Sequence, residues 1–307
     1  PRVTFHADNT HPFGAAHHQK IVVIDDHVAY CGGLDLTIRR WDTRDHPPSS
    51  PRRVDPEGAP YRPFHDIQLL IEGEAAAALA RLARERWRRA TGEDIGPMRL
   101  PEQARAWPAR VRPDAEHAQI VLTRTRGQSS DEPPVVEVRA SLLEQIRSAT
   151  RLIYVENQYL SCQEIGDALL AKLEEPHGPE IVLVLPRKSM GWLEYRSMTI
   201  PRKKIIARLR ASPHADRLRA VWPISGDAEV YVHAKVLIVD DALARVGSAN
   251  LSRRSMTLDT ECDLIVAADG DPATARAIAR FRDGLLAEHL GVTVAEIEGR
   301  RDVGWTA

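Results

Sequence analysis

Apolar positions in the second half of the chain alternate between helical and strand spacing. The segment 136–149 carries apolar residues three and four positions apart, which predicts a helix, and the apolar run over 152–160 predicts a strand. Further elements are predicted in the same alternation, with helices over 164–174, 201–211 and 272–290 and strands over 181–185, 218–222, 230–239, 244–246 and 262–267. Strands that alternate with helices predict an α/β sheet flanked by helices.

The chain contains an internal repeat that aligns without a gap at an offset of 215 residues. HQKIVVIDDHVAYCGGLDLT begins at His18, and HAKVLIVDDALARVGSANLS begins at His233. Both copies contain the pattern His-x-Lys-x4-Asp, formed by His18, Lys20 and Asp25 and by His233, Lys235 and Asp240. Only 6 of the 42 basic residues are lysines, so two lysines in this one pattern are far more than chance predicts.

An acidic residue opens an apolar strand after each copy of the pattern. Asp66 follows His18 by 48 residues, and Glu261 follows His233 by 28 residues. The Pro- and Arg-rich stretch 47–63, which is typical of a loop, accounts for the extra 20 residues. The repeat therefore extends beyond the motif itself.

The repeat predicts two similar α/β sandwich domains, with mixed, mostly parallel sheets flanked by helices and related by a pseudo-two-fold axis. We expect residues 1–100 to form the C-terminal part of the first domain, 101–114 a proline-containing linker and 115–307 the second domain. About a hundred residues of predicted βαβ structure precede the second motif, but only 17 residues precede the first. We therefore expect the first domain to be truncated at its N-terminus, with its missing part in the same protein or in a separate chain.

Strand geometry places the histidine and the lysine of each motif on one face, because they are two residues apart. Two such pairs around one cavity suit a phosphate ester. One histidine attacks phosphorus, the other protonates the leaving oxygen, and the lysines stabilise the phosphoryl charge. A lysine beside each histidine would repel a metal ion, so we expect no metal. The chain also lacks a Gly-x-Ser-x-Gly elbow and a phosphate-binding Gly-x4-Gly-Lys loop.

Composition narrows the classes of partner. The chain has 307 residues, of which 43% are hydrophobic and 28% charged, which indicates a globular rather than a disordered protein. The 42 basic and 43 acidic side chains give a net charge of −1, so we expect no nucleic-acid partner. No apolar run approaches the roughly 18 residues of a membrane-spanning helix.

The two motifs resemble those of the phospholipase D superfamily, which is also named after its His, Lys and Asp residues (HKD). Several stretches resemble the phosphatidylcholine-type members in particular: AYCGGLDLT with RRWD over 29–42, RPFHDIQLLIEG over 62–73, IYVENQYL over 153–160, and YVHAKVLIVDD to DTECDL over 231–264. FRDGLLAEHLG over 281–291 is similar to the closing helix of bacterial members. The resemblance covers roughly residues 4–291.

This resemblance implies a phosphodiesterase that works without a metal or other cofactor, through a phosphohistidine intermediate. It implies that His18 is the nucleophile and His233 the general acid, although the two histidines could exchange these roles. Lys20 and Lys235 would bind the phosphate.

The resemblance also implies roles for the surrounding residues. Asp66 and Glu261 would orient the histidines, as a carboxylate holds a catalytic imidazole, while Asp25 and Asp240 would maintain the local structure. Substrate-binding positions follow from the same comparison, with Gly33 and Asp35 in the first copy where the second has Ser248 and Asn250.

The expected function is a phospholipase D that converts phosphatidylcholine or a similar lipid to phosphatidic acid at a membrane surface, with water or an alcohol as acceptor. A cardiolipin synthase-type phosphatidyltransferase is the first alternative, and an HKD endonuclease is the second. Endonucleases of this kind usually carry one motif per subunit, whereas this chain carries two. The location would be soluble or peripheral to a membrane, and the sequence leaves the compartment open, with the cytoplasm slightly favoured over secretion.

Overall fold

A computed structural model describes residues 2–98, 107–129, 132–188, 195–300 and 303–306. Residues 101–106 of the predicted linker 101–114 lie outside the described residues. Among the described helices, none combines the length and the apolar composition that crossing a bilayer requires.

The first half of the chain forms a three-stranded antiparallel sheet backed by a long helix. Its strands are β1 (Ile21–Ile24), β2 (Val28–Gly32) and β4 (Gln68–Glu72), in that spatial order, and the helix is α1 (Glu74–Thr91). Side chains of β2, β4 and α1 pack in a core that also includes Cys262 and Leu264 of the second half. The two halves therefore share this hydrophobic core.

The second half builds a large sheet of eight strands. In spatial order these are β6 (Val135–Val136), β5 (Gln119–Arg126), β15 (Glu261–Ala267), β14 (Leu243–Gly247), β13 (Lys235–Val239), β7 (Leu152–Asn157), β8 (Glu180–Val184) and β9 (Leu218–Val221). The β7–β8 and β8–β9 pairs are parallel, and the other five pairs are antiparallel.

Helices cover both faces of the large sheet. One face packs against α2 (Glu137–Ser148), α3 (Gln163–Glu174) and α4 (Ile200–Arg210), and the opposite face packs against α6 (Pro272–Leu290). Two short helices, α5 (Arg253–Thr257) and α7 (Val294–Glu298), complete the set of α-helices in the described residues, which also contain a π-helical turn at Tyr195–Thr199 and a 3-10 turn at Ala215–Arg217. Each fully buried Leu or Ile of these layers contributes roughly 1.5–3 kcal/mol relative to an exposed position.

Two short strands link the halves beside the motif of the second repeat. Strand β3 (Phe64–His65) pairs in parallel with β12 (Tyr231–Val232). A hairpin of β10 (Ile224–Ser225) and β11 (Ala228–Glu229) precedes β12. His233 lies where the chain leaves β12, which pairs with the first half, and enters β13 of the large sheet.

The α/β class with a mixed sheet flanked by helices is confirmed, and the two repeats share one order of elements: β1, β2, β4 and α1 correspond to β13, β14, β15 and α6. Parallel pairs are fewer than expected. Only three residues, 240–242, connect β13 to β14, and such a short connection joins antiparallel strands.

Most of the predicted elements of the second half are present within one or two residues of their expected bounds. The strand predicted over 230–239 is an exception, because the chain changes partner at His233 and divides into β12 and β13. Strand β5 and helix α1 were not predicted.

Candidate active site

His18 and Lys20 of the first motif precede β1, and His18 is held by the second half of the chain. The backbone N–H of His18 donates to the carbonyl of Thr260 over 3.0 Å. Nδ1 of the His18 ring lies 2.9 and 3.0 Å from the two carboxylate oxygens of Glu261, which is fully buried. This contact fixes Nδ1 as the donor and leaves Nε2 free to react.

The second motif is held by the first half in the same way. Nδ1 of His233 lies 2.7 Å from Oδ2 of Asp66. The backbone N–H of His233 donates to the carbonyl of His65 over 2.8 Å, next to the pairing of β3 with β12.

Each histidine is therefore oriented by the carboxylate of the other repeat. His18 of the first repeat meets Glu261 of the second, and His233 of the second meets Asp66 of the first. Such crossed contacts are what a two-fold relation between the repeats generates. Spacing along the sequence indicates which carboxylates belong to the site, but it does not show this exchange.

A lysine accompanies each histidine. Nζ of Lys20 donates to the carbonyl of His18 over 2.7 Å and lies 3.2 Å from Oδ1 of Asp35. Nζ of Lys235 donates to the carbonyl of His233 and lies 3.4 Å from Oε1 of Gln158. Two ammonium groups thus flank the two imidazoles, as a phosphate ester requires.

Burial gives the second motif an unusual electrostatic state. Burial, together with the positive charge of Lys20, lowers the pKa of Lys235 to about 8. The negative charge of Asp66 acts in the opposite direction and raises it. Burial and the charge of Lys235 lower the pKa of His233 to about 4, although the hydrogen bond to Asp66 acts in the opposite direction. In the unliganded chain at pH 7, His233 is therefore neutral.

The substrate-binding positions predicted in the two repeats have different environments. A Cβ atom built at Gly33 would lie 2.1 Å from Oδ1 of Asp66, so this glycine leaves the space that Asp66 occupies. The corresponding Ser248 instead donates its hydroxyl to Glu261 over 2.5 Å. Both residues thus support the orienting carboxylates, and their contact with substrate stays a prediction.

The other two predicted substrate-binding residues, Asp35 and Asn250, also differ. The carboxylate of Asp35 forms an ion pair with Lys20. Burial alone would raise the pKa of the Asp35 carboxyl, but the charge of Lys20 lowers it. Asn250 is buried, and in the described residues its Oδ1 has no hydrogen-bond partner.

The motif aspartates lie apart from the histidines, at the ends of the motif strands. The carboxylate of Asp240 accepts backbone N–H groups of Thr150, Arg151 and Leu152 over 2.8–3.1 Å, so it caps the start of β7. In the described part of the chain, Asp25 has no corresponding hydrogen bonds.

Sequence analysis missed three residues that contact the site. Gln158 faces Lys235, and Phe64 and Tyr231 stack near the imidazole of His233, with ring centroids 5.5 and 6.4 Å from it. The polar residues within the apolar run IYVENQYL were the available signal for Gln158. The neighbouring Glu156 and Asn157 are buried in the interior.

Two groups of side chains near β3 have donor atoms that suit a metal ion. His46, His65 and Glu288 form one group and His65, Glu156 and His289 the other, with the donor atoms of each group within 4.8 Å of one another. Their ring nitrogens face carboxylates at hydrogen-bond distances.

Comparisons with known proteins relate the chain to the phospholipase D family. The family described as "Phospholipase D" matches residues 4–164, and "Cardiolipin synthase, PLD-like domain" matches residues 142–283. "Phospholipase D alpha 1" of Vigna unguiculata is 25% identical, over 90% of this chain and 49% of the relative. "Phospholipase D1" of Schizosaccharomyces pombe is also 25% identical, over 94% of this chain and 29% of the relative.

Among solved structures, the phosphatidylserine synthase of Haemophilus influenzae shares the fold, with a TM-score of 0.56 and 12% identity over 89% of this chain and 62% of that chain. The chain spans about half the length, or less, of the curated relatives it matches. Because the phospholipase D family matches more than half of its residues, the chain belongs to the phospholipase D superfamily.

Proposed function

We propose that the chain carries a phosphodiesterase centre of the phospholipase D type. Its substrate would be the distal phosphodiester of a glycerophospholipid, for example phosphatidylcholine. The observation that carries the proposal is the crossed pairing of His18 with Glu261 and His233 with Asp66, with a lysine beside each imidazole.

In the first step, the lone pair on Nε2 of His18 attacks phosphorus and forms a P–N bond. The bond from phosphorus to the head-group oxygen breaks, and this oxygen takes a proton from Nε2 of His233. Glu261 stabilises the positive charge that develops on the His18 ring, because its carboxylate accepts from Nδ1.

In the second step, water or an alcohol attacks the phosphohistidine. Its proton passes to Nε2 of His233, the P–N bond breaks, and the electron pair returns to His18. Water gives phosphatidic acid, whereas an alcohol gives a new phosphatidyl ester. Lys20 and Lys235 stabilise the non-bridging oxygens in both steps.

The acid role of His233 requires a proton that the unliganded chain does not hold at pH 7. Burial and the neighbouring Lys235 charge lower the pKa of this imidazole to about 4. A bound phosphodiester carries a negative charge, and a negative charge beside an imidazole favours the imidazolium form. Substrate binding would therefore protonate His233 for the first step.

The names of the relatives support a phospholipid substrate. Curated relatives from plants and yeasts are called phospholipase D, and the structural neighbour with the same fold is called phosphatidylserine synthase. A lipid substrate implies work at a membrane surface.

A phosphatidyltransferase of the cardiolipin synthase type is the second candidate, because that family matches residues 142–283. It would share the first step and use a lipid alcohol as the acceptor in the second.

The test is to incubate the chain with phosphatidylcholine vesicles, ethanol and EDTA and to quantify phosphatidic acid and phosphatidylethanol. We expect both products, and we expect His18→Asn and His233→Asn to abolish them. His177→Asn changes an exposed histidine outside the site and is the matched control. Product only from phosphatidylglycerol would favour the transferase, and no product from either lipid would refute the proposal.

A further inference from the structure

Three imidazoles and three carboxylates alternate in an unbroken chain of contacts behind the candidate active site. All six side chains are buried, with at most 7% of each exposed. In the order of their contacts they are Asp42, His46, Glu288, His65, Glu156 and His289. We call them the imidazole–carboxylate chain.

His65 lies at the centre of this chain. Its Nε2 is 2.6 Å from Oε2 of Glu156, and its Nδ1 is 2.7 Å from Oε1 of Glu288. An ionised carboxylate only accepts hydrogen bonds, so both ring nitrogens donate and His65 is a cation. Burial alone would lower its pKa, but the charge and hydrogen bond of Glu156, together with Glu288, raise the pKa of His65 to about 10.

His46 repeats this arrangement on one side. Its ring nitrogens lie 3.0 Å from Asp42 and 3.1 Å from Glu288. The buried guanidinium of Arg53 donates to Asp42 over 2.8 Å. Although burial opposes the shift, the hydrogen bonds from His46 and His65 lower the pKa of Glu288 to about 2.

Glu156, on the other side of His65, accepts hydrogen bonds from three donors. Besides His65, it accepts from Nε2 of His289 over 2.8 Å and from the hydroxyl of Tyr154 over 2.6 Å. Although burial opposes the shift, the charges of His65 and His289 hold the pKa of Glu156 well below its usual range. Every carboxylate of the imidazole–carboxylate chain therefore has a cationic partner in the interior.

Strand β3 connects the imidazole–carboxylate chain to His233. Side chains alternate along a strand, so Phe64 and Asp66 share one face and His65 points to the other. On the first face, the Phe64 ring and the Asp66 carboxylate contact His233, while the opposite face of the strand is anchored by the His65 ring. The imidazole–carboxylate chain also holds the backbone of β3, because the N–H of Phe64 donates to the carboxylate of Asp42 over 2.9 Å.

The anchor matters because β3 has only two residues and two ladder pairs with β12. So short a pairing does not by itself fix where the following residue lies. The buried ionic contacts of His65 supply the constraint that the ladder lacks.

We propose that the imidazole–carboxylate chain is a positioning device for His233: it anchors β3 through His65 and Glu156 so that Asp66 stays on Nδ1 of His233. His65 and Glu156 are positioning residues, since they act through Asp66. The kinetic part of the proposal rests on the proposed function, in which His233 is a reacting group.

The test compares His65→Gln and Glu156→Gln with two reference variants. Asp66→Asn removes the orienting carboxylate directly. Arg282→Gln is the matched control, since Arg282 of α6 is buried and forms ion pairs with Asp241 and Asp283, which both lie outside β3.

The first readout is the kinetics of phosphatidylcholine hydrolysis. We expect His65→Gln and Glu156→Gln to lower kcat about 10²-fold, as loss of a positioned proton donor does. KM should change less than about threefold, because Lys20, just before β1, and Lys235, on β13, both lie outside β3. The pH profiles of both variants should follow Asp66→Asn. Kinetics that follow Arg282→Gln instead would overturn the proposal.

The second readout does not depend on activity. The proton on Nδ1 of His233 should give a downfield, slowly exchanging NMR signal in the native chain. We expect this signal to be lost in His65→Gln and Glu156→Gln and retained in Arg282→Gln. A native chain that shows the signal but hydrolyses no lipid would contradict the proposed function alone, whereas a signal that persists in both glutamine variants would contradict the positioning role.

Discussion

The two repeats carry one motif in two environments. Strand β13 lies inside the large sheet and pairs with β14 on one side and β7 on the other, whereas β1 is the outermost strand of its sheet in the described residues. The His18 side chain is 27% exposed, and that of His233 is 8% exposed. Equal residues at equal spacing are therefore not equivalent in their chemistry.

In the proposed reaction, burial rather than residue type would distinguish the roles of the two histidines. Lys235 and His233 both have lowered pKa values because the second repeat removes them from water. In the proposed reaction, the more exposed His18 suits the nucleophile and the more enclosed His233 suits the group that exchanges protons. A symmetric motif thus supports an asymmetric reaction.

The largest expected effect comes from cutting the two crossed contacts. Asp66→Asn and Glu261→Gln should each lower kcat by about 10²–10⁴-fold, because the imidazole loses the partner that fixes its tautomer. Steady-state kinetics on phosphatidylcholine vesicles measure this effect, with His177→Asn as the control. If only one of the two variants loses activity, the repeats do not depend on each other as the crossed contacts indicate.

The next effect is on the pH dependence. Because the pKa of Lys235 is lowered to about 8, its ammonium form is present below that pH and is lost as the pH rises through it. We expect this loss to steepen the decline of kcat/KM by a further factor of about ten per pH unit above pH 8, in addition to the decline that deprotonation of His233 causes from lower pH.

Arginine at the two lysine positions sharpens this comparison. A guanidinium stays charged throughout this range, so Lys235→Arg should move the fall to higher pH, whereas Lys20→Arg should leave it in place. A fall near pH 8 that survives Lys235→Arg would show that another group causes it.

The smallest effect concerns the motif aspartates. Asp240→Asn weakens the cap on the start of β7 and should lower the free energy of unfolding by about 1.5–3 kcal/mol. Asp25→Asn should cost less than about 0.5 kcal/mol, because the described residues offer it no such contacts. Both aspartates have a positive φ, 50° and 53°, that asparagine tolerates, so backbone strain does not confuse the comparison. Urea unfolding measures both values, and equal losses would contradict the difference between the repeats.

Much of this fold could be predicted from the sequence because the second half is strongly patterned. Strands such as β7 and β13 are continuous apolar runs, and α2 has apolar residues at helical spacing. Strand β5, QIVLTRTR, is mixed in polarity because it borders exposed surface along part of its length, and it was missed. Helix α1 was also missed, since its many alanines and arginines give a weaker pattern of large apolar residues.

The candidate site likewise has parts that the sequence predicts and parts that it does not. The two motifs could be found because each is local in sequence, and the spacing of a repeat shows them. The crossed pairing of Asp66 with His233 joins residues 167 positions apart, and the contact of His65 with Glu288 joins residues 223 apart. Tertiary structure alone brings such pairs together, so the spacing of residues along the sequence does not reveal them.

The outer edge of β1 has a practical consequence for handling this chain. In the described residues no strand pairs with that edge, and its Ile24 side chain is 47% exposed. An open edge with apolar side chains is a template for a strand of another molecule. Concentrated solutions of the chain should therefore self-associate through this edge, and Val22→Lys, which places a charge on the strand, is the substitution to try before crystallisation or NMR.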